Sequence, residues 1–137
     1  MMDYKHSEIT EQIIIAFYKV YNTLGYGFLE KVYERSMLIE LRKMGFNASN
    51  QVPVDVWYEG QKVGFYLADI VVENLIIVEL KSGEALTEGH EAQLTNYLRG
   101  TDKEVGLLLG FCKTPMVKRR AFHNEYKSSL TQNHDRS

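Results

Sequence analysis

The stretch Tyr66-Leu67-Ala68-Asp69-Ile70-Val71-Val72-Glu73-Asn74-Leu75-Ile76-Ile77-Val78-Glu79-Leu80-Lys81 sets two apolar runs on either side of a polar break. β-Branched residues fill both runs and Glu73-Asn74 suits a turn, so the segment reads as a β-hairpin. Its first strand carries Asp69 in an apolar setting, and its second ends in Glu79-Leu80-Lys81. Alternation places Glu79 and Lys81 on one face and Leu80 on the other. Ionisable groups at the end of a buried strand are costly unless paired, hydrated or bound to a metal.

Whether the two acids meet depends on register. A two-residue loop at Glu73-Asn74 sets Asp69 opposite Val78, whereas a three-residue loop or one bulge sets it opposite Glu79. A slip of one residue turns every side chain to the other face. A site therefore requires an odd loop or a bulge, and that is the expectation here. Two converging carboxylates beside a lysine suit a hard divalent cation such as Mg2+, which keeps part of its water shell. Such an ion polarises a phosphodiester oxygen and acidifies a water, while the lysine offsets charge developing on the phosphate. A strand-end salt bridge is the competing explanation of Glu79 and Lys81.

Working outward, the apolar period is helical before the hairpin and extended around it. Residues 8–24 repeat Ile13, Ile14, Phe17, Val20, Tyr21 and Leu24 at three and four, with Ser7 as a suitable N-cap. A second helix is predicted over residues 28–44, stopped by Gly45. Val52, Val54 and Val56 then alternate toward a Glu59-Gly60 turn, with return strands over 62–72 and 75–81. Residues 88–99 read as a helix, and 105–111 as a strand buried on both faces. The segment 116–127 fits helix or strand, and 128–137 reads as a flexible tail. The string α-α-β-β-β-α-β implies a mixed sheet with helices packed on it, an α/β domain spanning residues 1–127.

The size of 137 residues suits one domain, and 45% hydrophobic content with nine Tyr and six Phe implies a real core. Sixteen Lys+Arg against eighteen Asp+Glu leave a net charge of −2, so nucleic acid could be held only by a local patch or a metal, not by bulk charge. The single cysteine, Cys112, excludes an internal disulfide and a cysteine metal cage. No apolar run approaches the roughly 18 residues of a membrane span, and the reading is a soluble cytoplasmic domain without membrane partners.

Two further groupings bear on the acidic pair. Gln93 and Tyr97 lie four apart on one helical face, where the amide could serve a phosphate and the ring could pack or stack on a base. An ordinary helix with an exposed Gln and a half-buried Tyr explains them as well. In Gly27-Phe28-Leu29-Glu30-Lys31-Val32-Tyr33, Glu30 and Tyr33 share a face near a helix start. Glu30 there either complements the helix dipole or brings a third carboxylate to the metal.

Gly27-x-x-Glu30-x-x-Tyr33 resembles the signature of the GxxExxY proteins, which belong to the PD-(D/E)XK nuclease-like superfamily. The resemblance extends through Asn50-Gln51-Val52-Pro53-Val54, Ala68-Asp69, Val78-Glu79-Leu80-Lys81 and His90-Glu91-Ala92-Gln93-Leu94-Thr95-Asn96-Tyr97-Leu98. The last segment is also similar to the Gln-hydrophobic-x-x-Tyr motif of RecB-type nucleases. The resemblance implies a restriction-endonuclease-like αβββαβ core, with the first helix an N-terminal addition. It implies Glu30, Asp69 and Glu79 as ligands of Mg2+ or Mn2+, with the Leu80 carbonyl a further donor. Lys81 becomes the catalytic lysine, assisted by Gln93 and Tyr97. Ala68 stands where the superfamily name has proline, which removes no ligand.

From Lys113 to Arg120 the charged residues are Lys113, Lys118, Arg119 and Arg120, all positive; Lys118, Arg119 and Arg120 are the candidate phosphate contacts, with a solvated face the competing explanation. The function this suggests is metal-dependent hydrolysis of phosphodiester bonds in DNA, with a homodimer supplying two sites for two strands. The alternative is a non-catalytic nucleic-acid-binding or partner-binding module, or a regulatory subunit, that retains the fold.

Overall fold

Apolar residues three and four apart give the first helix, α1 (Ser7–Leu24), a face in which Ile13, Ala16, Phe17 and Val20 are buried. The computed structural model describes residues 5–130. After α1 come α2 (Glu30–Lys43), β1 (Ala48–Tyr58), β2 (Gln61–Val72) and β3 (Ile76–Gly83). Then follow α3 (Glu88–Gly100), β4 (Val105–Cys112), β5 (Met116–Ala121) and two short 3-10 turns at Asn124–Tyr126 and Ser128–Leu130. The five strands lie in sequence order in one sheet. Only β3 and β4 are parallel, and α3 is the crossover that parallel neighbours require. The mixed sheet with flanking helices agrees with the expected element string, β5 being added beyond β4.

The helices divide the sheet's two faces. Phe17 of α1 and Tyr33, Met37 and Leu41 of α2 pack with Ile70, Val72, Ile76, Val78, Leu80, Leu107, Leu109 and Phe111. On the other face, Leu94 and Leu98 of α3 pack with Val54, Ala68, Val71, Ile77 and Leu108. Every residue of β4 is buried, as its unbroken apolar run predicts. Among the described residues, no helix is long and apolar enough to cross a membrane.

Local chemistry moved several boundaries. Ser7 lies inside α1 instead of capping it: His6 precedes the helix in a left-handed conformation, and its carbonyl accepts the Ile9 and Thr10 N–H groups. At the far end of α2, Gly45 has φ +93° and donates to Arg42 O while Phe46 donates to Leu41 O. This pair of bonds satisfies the last carbonyls of the helix. Thr87 caps α3 reciprocally with His90, so this histidine fastens a helix start. The ambiguous segment is strand as far as Ala121.

The last described residues make contacts back to the domain. Lys127 is buried, its ammonium donating to the Thr101 and Lys103 carbonyls, and Ser129 O accepts the Gly60 N–H. Of the expected tail, residues 131–137 lie outside the described residues.

Candidate active site

The hairpin between β2 and β3 turns on three residues, Glu73, Asn74 and Leu75, because Val72 pairs with Ile76. Glu73 and Asn74 both take φ of +56°, Leu75 N–H closes onto Val72 O, and the Glu73 carboxylate accepts the Asn47 N–H. The resulting register runs Val72↔Ile76, Val71↔Ile77 and Ile70↔Val78, so Asp69 comes level with Glu79. This is the odd loop that the acidic pair requires.

Ladder pairing between β2 and β3 ends at Ile70 and Val78, and the two acids take over. The Asp69 carboxylate accepts the Leu80 N–H at 2.8 Å, and the Glu79 carboxylate accepts the Asp69 N–H at 3.2 Å. Each side chain thus reaches the other strand's backbone where a carbonyl would ordinarily sit.

A kink in β1 and β2 gives Asp69 its direction. Ala68 packs on the α3 face while Ile70, two residues on, packs on the α1 and α2 face. Regular alternation forbids this. The ladder of β1 with β2 pairs Asn50 with Ile70 and Val52 with Ala68 but skips Gln51 and Asp69, and Gln51 has φ +50°. The strands therefore exchange faces at Asp69. Asp69 lines a cavity of about 410 Å³ on the α2 side, together with Leu80, Glu30, Glu34, Asn50 and Gln51.

Each position of Gly27-x-x-Glu30-x-x-Tyr33 has a separate mechanical part. Gly27 adopts φ +110°, which a side chain would resist. Tyr33 is fully buried, stacked on Phe111 with ring centroids 4.0 Å apart. Its hydroxyl donates to Gly25 O and accepts the Phe28 N–H, which keeps Phe28 outside the helix and starts α2 at Glu30 rather than at residue 28. Glu30 then reaches β3, where its carboxylate accepts the Ser82 N–H at 3.2 Å.

On the α3 side, Tyr97 stacks on Tyr66 with centroids 3.6 Å apart and planes within 9°. Its neighbour on the helix face, Gln93, is exposed. Lys81, half-buried, favours the charged forms of both Asp69 and Glu79. Burial pushes the Asp69 carboxyl above its usual range, opposed by the Leu80 N–H and Lys81 and reinforced by Glu30 and Glu34. Burial and then the charge of Asp69 push Glu79 up to about 8. Tyr66 is held far above the usual phenol value by burial and by Glu79, and its buried hydroxyl has no hydrogen-bond partner among the described residues.

The three carboxylates suit a hard divalent cation by chemistry: they are oxygen donors, and two of them carry charge that their surroundings resist. They are not gathered into a ready cage. Among the described residues, no group of three or more His, Cys, Asp or Glu side chains is placed to hold a metal ion. Each acid instead engages a main-chain N–H.

Sequence reasoning missed Glu34 and Tyr66. Glu34 is buried, with Asn50 and Gln51 donating to its two oxygens at 3.1 and 2.7 Å. Its spacing of four from Glu30 was the available signal. Tyr66 had none, since its place beside Glu79 depends on the kink. The run at 118–120 is divided by alternation. Lys118 and Arg120 pair opposite Leu108 and Gly106, and Arg119 opposite Leu107. Arg120 is ion-paired with Glu91, and Arg119 donates to Lys5 O.

The family model described as PD-(D/E)XK nuclease superfamily matches residues 7–121, from the first helix to the end of the last strand. Together with the five-stranded mixed sheet and three helices, the match gives the domain a restriction-endonuclease-like fold. No curated protein and no solved structure matches the chain.

Proposed function

The chain belongs to the PD-(D/E)XK nuclease superfamily, and we propose that it is a Mg2+- or Mn2+-dependent nuclease that hydrolyses phosphodiester bonds in DNA. Within the superfamily we assign it to the GxxExxY proteins, on Gly27, Glu30 and Tyr33 and the parts they play at the start of α2. The observation that carries the reading is the register that levels Asp69 with Glu79 where β2 and β3 part, with Lys81 two residues beyond Glu79.

Asp69, Glu79 and Glu30 would hold the cation, with the Leu80 carbonyl as a further oxygen. The ion would supply positive charge to the scissile phosphate and lower the pKa of water beside it. Lys81 orients the attacking water and counters the charge that builds on the phosphate oxygens. Gln93 donates to a non-bridging oxygen, and Tyr97, braced by Tyr66, walls the site on the α3 side. Binding requires all three carboxylates to be ionised, and the raised positions of Asp69 and Glu79 mean that uptake releases protons. A cytoplasmic setting and a homodimer with two sites belong to the same proposal.

The test is metal-titrated cleavage of end-labelled single-stranded, duplex and branched DNA by the wild type, D69A and K81A. The expected result is cleavage by the wild type in Mg2+ or Mn2+ and a loss on the order of 10³ in each variant. DNA binding without cleavage in either metal, unchanged in both variants, would establish the non-catalytic module instead.

A further inference from the structure

Helix α2 carries two charged columns. Glu30 and Glu34 form one, Lys31 and Arg35 the other, each pair four residues apart and so stacked one turn above the next. All four residues line the 410 Å³ cavity that contains Asp69. On an isolated helix Glu34 would be placed to pair with Lys31, three residues before it, whereas Arg35 has no acid three or four residues away. Here the acids are taken. Glu30 accepts the Ser82 N–H, and both oxygens of the buried Glu34 accept side-chain amides of Asn50 and Gln51.

Gln51 reaches Glu34 only because of its left-handed backbone. Consecutive residues of a regular strand point to opposite faces, yet Asn50 and Gln51 both bond the same carboxylate. The kink that aims Asp69 into the cavity therefore also withdraws Glu34 from Lys31. Lys31 and Arg35 are left exposed at the mouth, with no ion pair or hydrogen bond among the described residues. The cations at 119 and 120 present the opposite case, since both have partners within the chain.

Two uncommitted like charges, one turn apart and rimming an acidic cavity, repel each other and call for an external anion. We infer that Lys31 and Arg35 grip the backbone phosphates flanking the scissile bond, so that the nucleic-acid strand crosses α2 above the cavity. This rests on the nuclease reading and adds its substrate track. The cations hold the flanking phosphates above the cavity that Asp69 and Glu30 line.

The experiment measures fluorescence anisotropy of fluorescein-labelled single-stranded DNA, duplex DNA and single-stranded RNA of one sequence. Ca2+ replaces Mg2+, and the salt concentration is varied. The double variant K31A/R35A is compared with K19A/K43A, which removes the same charge from α1 and the far end of α2, and with K31R/R35K. For the strand type that the wild type binds, K31A/R35A is expected to weaken binding about tenfold and to flatten the salt dependence by about 1.4–1.8 in log–log slope. K31R/R35K should retain the wild-type slope, and K19A/K43A should shift affinity by no more than about twofold. Equal losses in the two alanine pairs, or none in K31A/R35A, would overturn the assignment while leaving the nuclease reading intact. A wild type that binds none of the probes would overturn both.

Discussion

Strand β3 meets its two neighbours in different ways. Against β4 it pairs along its whole length, from Ile76↔Val105 to Gly83↔Cys112. Against β2 it pairs only from Ile76 to Val78 and then parts company. The β4 side is an apolar wall in which backbone satisfies backbone. On the β2 side the N–H groups of Asp69 and Leu80 are satisfied by Glu79 and Asp69, so the acids at the parting have a structural use before they have a chemical one. Carboxylates can be kept in a buried place because the strands there have lost their ordinary partners.

The contrast can be broken from the regular side. Ile77, fully buried beneath α3, belongs to the portion of β3 that pairs with both neighbours. I77A should destabilise the fold by about 3 kcal/mol in denaturant melts, while the Mn2+ affinity of the folded fraction, read by calorimetry, stays at the wild-type value. A matching loss of affinity would mean that the two portions of the strand are one unit.

From the acidic side the sign reverses. Glu79 is pushed up to about 8 in the fold, from an ordinary value of 4.5. The folded chain thus holds a proton there that the unfolded chain releases. Stability from this group is complete below about pH 4.5 and is lost as pH rises through about 8. E79Q, which keeps an oxygen for the Asp69 N–H, should therefore melt higher than the wild type at about pH 9 without divalent metal, by roughly 2 kcal/mol. The advantage should vanish at about pH 4. Mn2+ should raise the melting temperature of the wild type more as pH rises, and that of E79Q hardly at all. A variant no more stable than the wild type at high pH would show that Glu79 is not strained by its surroundings.

The smallest expected effect lies at the kink. Q51A and Q51G both remove the amide that holds Glu34, but only glycine accepts φ +50° without strain. Q51A should be about 1 kcal/mol less stable than Q51G in chemical denaturation. Equal stability would mean that the strand relaxes out of its left-handed turn once the amide is gone.

Much of this was legible in the chain. The apolar periods gave the helices and strands, and parity counting across Glu73–Leu75 tied the acidic pair to a loop of odd length. Glu30, Gln93 and Tyr97 could be set on particular helix faces because helical spacing is regular. Legibility ended where regularity did. Alternation, applied through Gln51 and Asp69, gives the wrong faces beyond them, so the Tyr66–Tyr97 stack and the clamp on Glu34 were out of reach. A count of charges singled out Lys118, Arg119 and Arg120 and passed over Lys31 and Arg35, since composition does not reveal that Arg119 and Arg120 have partners within the chain. The N-terminal cap failed similarly, because the His6 main chain did what the Ser7 side chain was expected to do.

The Glu73–Leu75 turn has a consequence for how this gene can vary. Surface connections ordinarily absorb insertions and deletions with little harm. This one is tied down: Glu73 and Asn74 both hold left-handed backbone, and the Glu73 carboxylate accepts the Asn47 N–H, so a changed length would have to replace that tie while keeping Val72 opposite Ile76. Length variation at this turn should therefore be rarer than at a connection whose side chains hold nothing else in place.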